Sequence, residues 1–139
     1  MSTRSNTAIL NSNGTVTMTY CHFDGYPSHR APILLANYSD EDDVRALIAL
    51  GDMSSQGERH IPFGPHSYER PEEGCSVFYC RDRGEAWDDV KPMEYASVDD
   101  AVAAMSAYLY LFVPGEGWSY NEYGRGFRPI SSWEDEVTP

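Results

Sequence analysis

Cys21, His22 and Asp24 bring a thiol, an imidazole and a carboxyl within four positions. These are the ligand types of a zinc site, for which Cys75 and Cys80 would be the further thiolates. The spacing does not suit one. Four residues separate Cys75 from Cys80, unlike a Cys-x-x-Cys knuckle, and on a strand an odd separation turns the two side chains to opposite faces. Nucleophilic catalysis by Cys21 would need a base. His22 is its chain neighbour and faces away from it on a strand, so the base would have to be His60 or His66. The ordinary reading makes Cys21 and Cys80 small buried hydrophobes and His22 a hydrogen-bonded turn residue. No metal, no cofactor and no catalytic residue is therefore assigned.

Acid–base chemistry has a second location. His60 and His66 flank a Pro- and Gly-containing stretch with Glu58 and Glu69 nearby. Together with Tyr20, His22, Asp24, Arg81 and Arg83 they would build a tyrosine- and arginine-lined pocket able to hold a nucleotide, which makes a small nucleotide-binding protein or a small enzyme one reading of the chain. Gly-x-Gly-x-x-Gly, a phosphate loop, His-Glu-x-x-His and Gly-x-Ser-x-Gly are all missing from the sequence, so no motif argues for an enzyme.

The acidic residues are the strongest chemical feature. The formal net charge is −12, from 22 acids against 10 bases. That field repels nucleic acid and anionic membrane and speeds encounter with a basic protein surface. The acids cluster as Asp40, Glu41, Asp42 and Asp43; Glu72 and Glu73; Asp88 and Asp89; Asp99 and Asp100; and Glu134, Asp135 and Glu136. Helix first turns account for the first and fourth groups, since carboxylates there meet free N–H groups and the positive end of the dipole. If several clusters share a face they imitate a phosphate array, and Trp87 and Trp133, in acidic surroundings, would anchor a partner. Binding of that kind weakens steeply with salt.

The elements that must position these groups follow from pattern. Residues 1–6 read as a tail. Strands at 7–10 and 15–21 flank the turn Asn11, Ser12, Asn13, Gly14 and make a hairpin. Pro32 opens a short helix to Asn37. Ser39 caps a second helix whose stripe is Val44, Leu47 and Ile48, closed by Gly51. Residues 52–74 are a long loop. A strand follows at 76–80, a charged turn at 81–85, a strand at 91–95 weakened by Pro92, and a helix capped by Ser97 to about Met105. Strands at 108–113 and 118–122 flank a tight turn, and 127–130 adds a last strand before an acidic tail at 134–139. The fold class expected is α+β: a single domain, 1–139, with an antiparallel sheet of about four to six strands and two or three helices on one face. Nothing in the order of elements supports a parallel sheet.

Three cysteines, an odd number without a dense framework, point to a reduced, cytoplasmic setting. The polar start of the chain lacks the apolar run of a signal peptide, and no run approaches the length of a membrane span.

Three stretches carry a resemblance. They are Tyr20-Cys21-His22-Phe23-Asp24-Gly25-Tyr26-Pro27; Leu34-Leu35 through Leu47-Ile48-Ala49-Leu50-Gly51-Asp52 with Ser54-Ser55; and Tyr79-Cys80-Arg81-Asp82-Arg83-Gly84-Glu85. The pattern resembles a family of small uncharacterised proteins common in bacteriophages and prophages. The chain departs from it at Ser28-His29-Arg30, where a glycine-containing turn is expected. The resemblance implies a setting, not a mechanism: an accessory phage protein, a kind that often binds and inhibits a host protein. Joined to the acidic clusters read above, it gives the expectation of a protein that inhibits or redirects a host protein, such as a nucleic-acid-binding or defence factor, through a DNA-mimic-like acidic surface. A virion or assembly component is the further alternative.

Overall fold

The computed structural model describes residues 2–137, with side chains as far as Trp133. The expected hairpin forms: β1 (Ser5–Leu10) and β2 (Val16–Cys21) pair antiparallel, with Ser5 opposite Cys21 and Leu10 opposite Val16. Gly14 takes φ +88° in the turn, where a Cβ would be strained. β1 starts earlier than the pattern suggests. Ser5 and Asn6 are buried in the sheet, so the tail before it is shorter than six residues.

The rest of the sheet is larger than expected and mixed. β6 (Tyr108–Val113) runs parallel to β1, β7 (Gly117–Glu122) pairs antiparallel with β6, and β8 (Phe127–Pro129) with β7. On the other side, β3 (Met53–Ser55) lies parallel to β2 at Cys21, and β4 (Val77–Phe78) pairs antiparallel with β3. β5 (Met93–Tyr95) pairs with the start of β2, at residues 16–18. Among the described residues eight strands thus form one sheet with order β4-β3-β2-β1-β6-β7-β8 and β5 beside β2. The parallel contacts join segments far apart in the chain, β2 to β3 across two helices and β1 to β6 across about a hundred residues, which local pattern does not reveal.

Helices cover both faces, not one. Alternation along the strands sends Ile9, Tyr110 and Phe112 to one side and Ala8, Leu109 and Leu111 to the other. The first side is covered by α1 (Pro27–Asn37) and α2 (Glu41–Ala49), through Leu34, Val44, Leu47 and Ile48, and by a 3-10 helix (Ile130–Val137), through Ile130. The second is covered by α5 (Val98–Ala103), through Val98, Ala101 and Val102. Two further short helices, α3 (Tyr79–Arg83) and α4 (Trp87–Val90), follow β4. Because alternation makes both faces apolar, each needs its own cover.

Several boundaries move for local reasons. α1 begins at Pro27, so Pro32 lies inside it, and Ser28, His29 and Arg30 continue a helix where a turn was expected. The N-cap of α2 is Asp40 instead of Ser39, with Glu41, Asp42 and Asp43 in the first turn as the dipole favours. Ser97 does cap α5, its Oγ accepting from the Asp100 N–H at 3.1 Å. The strand expected at 76–80 stops after Phe78 because the Asp82 carboxylate accepts the Phe78 N–H at 2.8 Å and opens α3. Cys80 is therefore helical.

The segment between β2 and α1 is the joint that sets these layers. His22 N–H donates to the Met53 carbonyl at 3.1 Å and Phe23 N–H to the Ser54 carbonyl at 2.8 Å, which extends the contact with β3. Asp24 then takes φ +56°, a conformation Asp tolerates better than most residues. Gly25 N–H donates to the Thr3 carbonyl at 2.9 Å, and the buried Tyr110 hydroxyl donates to the Gly25 carbonyl at 2.7 Å. Pro27 starts the helix with a preset φ. Gly25 and Pro27 of the 20–27 motif thus have a structural use here.

Candidate functional site, a tyrosine-lined cleft at the end of the second strand

β5 and β3 share one edge of β2 and leave a gap between them. At that gap the Tyr20 N–H donates to Asp52 Oδ1 at 2.9 Å. A side chain thus supplies the acceptor that a neighbouring strand would. Gly51, at φ +85°, makes the turn that delivers Asp52, and Asp52 N–H is tied to the Val90 carbonyl at 2.8 Å. Alternation puts the Tyr20 side chain on the same side as Val16 and Met18, where its hydroxyl meets His22 Nδ1 at 2.7 Å.

α3 supplies the facing wall. Tyr79 and Arg83 are four residues apart, one above the other on a helix. The Arg83 guanidinium carbon lies 5.2 Å from the centre of the Tyr68 ring and 5.7 Å from that of Tyr79. Its Nε is 3.4 Å from a Glu85 carboxylate oxygen. With Phe23 and Val90 these residues line a cleft of about 540 Å³.

Asp52 is the group here with the most altered chemistry. Burial pushes its carboxyl up, against the lowering effect of the Tyr20 N–H, to about 6. The folded state therefore holds a proton that the unfolded chain, at 3.8, has lost. Asp52 contributes stability that is fully present below pH 3.8 and is lost as pH rises through about 6. Asp52→Asn keeps the acceptor for Tyr20 and removes the ionisation. We expect the variant to lose that decline between pH 4 and 6 and to gain about 1 kcal/mol at pH 7.5, solvent screening included. Urea titrations at a series of pH values check this; parallel pH profiles for the two proteins would refute it.

The structure brings together only part of the pocket expected from sequence. Tyr20, His22 and Arg83 line the cleft, and Asp24 lines a different one. His60, His66 and Arg81 form a separate cluster that fastens the 56–76 loop to α3. Arg81 Nη1 donates to the His60 carbonyl, and the Tyr38 hydroxyl is 3.1 Å from His60 Nδ1. The Glu72 N–H donates to His66 Nδ1 at 2.9 Å, which leaves Nε2 to donate to Asp82 Oδ2 at 3.1 Å. Burial opposes ionisation of Asp82, but hydrogen bonds from Arg81, Phe78 N–H and His66 outweigh it and hold the carboxyl below its usual range. Burial lowers His60. Sequence reasoning missed Phe23, Asp52, Tyr68, Tyr79, Glu85 and Val90. The spacing of Tyr79 and Arg83 was the available signal, hidden because residues 76–80 read as a strand.

The acidic clusters are spread over the molecule. Asp40, Glu41, Asp42 and Asp43 open α2 and Asp99 and Asp100 open α5, on helices that cover opposite faces of the sheet. Glu41 pairs with Arg45 at 2.8 Å and Asp88 with Lys91 at 3.4 Å. Glu72 accepts from the Phe63 N–H, from Arg59 and from the Gly64 N–H, which lower its pKa in that order of cause and commit it to the loop. Glu73 and Asp89 are exposed. Trp87 is 43% exposed, whereas Trp133 packs against the core beside α1. The side chains of Glu134, Asp135 and Glu136 lie outside the described residues. Among the described residues no group of three or more His, Cys, Asp or Glu is gathered to hold a metal ion, and no helix is long and apolar enough to cross a membrane. No protein-family profile, curated protein or solved structure matches this chain.

Proposed function

We propose that this protein binds a small ligand of the nucleotide class in the cleft between β2 and α3, and that in the accessory setting implied by the resemblance it acts by sequestration. What carries the reading is Arg83, whose guanidinium lies against the rings of Tyr68 and Tyr79 inside one cleft with Asp52 and the Tyr20–His22 pair. Tyrosine faces stack a planar base, and the polar groups beside them meet its N–H and ring-nitrogen edges. Arg83 is placed for the anionic part, in exchange for Glu85.

The test is thermal stabilisation by a panel of nucleosides and nucleotides. A ligand that binds only the native state stabilises it by about 2.7 kcal/mol at a hundredfold excess over Kd. Arg83→Ala is expected to cost tenfold or more in affinity for phosphate-bearing ligands and little for nucleosides; Tyr79→Ala weakens both. No stabilisation at millimolar ligand would overturn the proposal. A second reading, an acidic surface that engages a basic host protein, is favoured by one observation: half-exposed Trp87 stands at the start of α4 beside Asp88 and Asp89.

A further inference from the structure

A second cleft, of about 490 Å³, lies between the start of α1 and the loop that follows β3. The close approach of two backbones braces its wall. A Cβ on Gly57 would sit 2.4 Å from the Gly74 carbonyl oxygen, and Arg59 N–H donates to that same oxygen at 3.2 Å. Three carboxylates line the cleft, Asp24, Glu58 and Glu73, and among the described residues none of the three forms an ion pair. The Arg59 guanidinium, which lies beside Gly74, is committed to Glu72 at 2.6 Å. His29 Nε2 donates to the Gln56 carbonyl at 2.9 Å, which leaves Nδ1 as a bare acceptor.

Gln56 is the residue without a structural account. It lines this cleft, is 2% exposed, and among the described residues neither its amide nitrogen nor its amide oxygen has a hydrogen-bond partner. Leaving a buried amide unpaired costs about 1–3 kcal/mol, and a residue chosen only for packing would be apolar. Its surroundings select the chemistry that would pair its amide oxygen. Acceptors dominate the lining, and an anion would meet three carboxylates.

We propose that this cleft binds an organic cation carrying several N–H donors, a primary ammonium or a guanidinium group, which would donate to the Gln56 amide oxygen and to Glu58 and Glu73. The inference is independent of the tyrosine-lined cleft. The cation has two sources of the same chemistry, a free polyamine or a lysine or arginine side chain of a partner protein.

Spermidine and an arginine-containing tripeptide, each titrated into the full chain at low salt, serve as probes. The readouts are calorimetry and the NMR signal of the Gln56 side-chain amide. We expect saturable one-to-one binding that shifts the Gln56 amide. The double variant Glu58→Gln/Glu73→Gln, exposed positions whose side chains form no ion pair among the described residues, should weaken it tenfold or more. Asp99→Asn/Asp100→Asn, on the far face, should leave it unchanged. Binding of spermidine alone identifies a free amine as the occupant, and binding of the tripeptide alone a protein side chain. Failure of both probes, or equal weakening by the two double variants, would overturn the assignment.

Discussion

Gly25→Ala is expected to lower stability by about 3 kcal/mol, the upper part of the range for overpacking a rigid site. Its new Cβ would stand 2.6 Å from Ser5 Cβ, 2.7 Å from Ser5 Oγ and 2.7 Å from the Thr3 carbonyl oxygen. None of these is the free end of a long side chain, so the backbone itself must give. The two hydrogen bonds that Gly25 makes, to Thr3 and from Tyr110, would lengthen with it. Because they hold the joint between β2 and α1, the loss reaches the whole face that α1 covers. Thermal melts and urea titrations measure it, with an expected fall of about 10 °C in Tm. Ser28→Ala, exposed and three residues on, is the matched control and should change little. A Gly25→Ala protein within 1 kcal/mol of the parent would show that the close approach is not rigid.

Arg30→Ala should cost about 3–5 kcal/mol. Arg30 is fully buried in the sheet-facing side of α1 and has no carboxylate partner among the described residues. Its guanidinium donates to Ser5 Oγ at 2.6 Å and to Thr7 Oγ1, lies 4.8 Å from the centre of the Tyr110 ring, and leaves Nε unpaired. Truncation opens a cavity and strands two buried hydroxyls. Arg30→Met fills most of the volume and removes a desolvated charge, so it should lose less than half as much. Arg30→Lys keeps the charge but loses the planar fork and the ring contact, and should fall nearer to alanine. Urea denaturation ranks the three. Methionine as damaging as alanine would mean that the guanidinium's hydrogen bonds, not its volume, dominate.

The sequence by itself determined the local elements of this protein and little of its assembly. The hairpin, the second helix with its Val44, Leu47 and Ile48 stripe, the Ser97 cap and the strand at Tyr108–Val113 were legible because turn chemistry, capping and periodicity act within a few residues. Of the seven residues read as one pocket, Tyr20, His22 and Arg83 line one cleft. What only the tertiary structure decided is long-range pairing. The parallel contact of β1 with β6 joins residues about a hundred positions apart, and no local pattern encodes it. The same holds for Asp52, read as the start of a loop and raised to about 6 because the gap between β3 and β5 buries it against Tyr20. Residues 76–80 were misread because a side chain four positions on, Asp82, captures the Phe78 N–H and turns a strand pattern into a helix start. Carboxylates that cluster in sequence are dispersed in space for a related reason: a helix's first turn attracts acids wherever the helix lies, and α2 and α5 lie on opposite faces of the sheet.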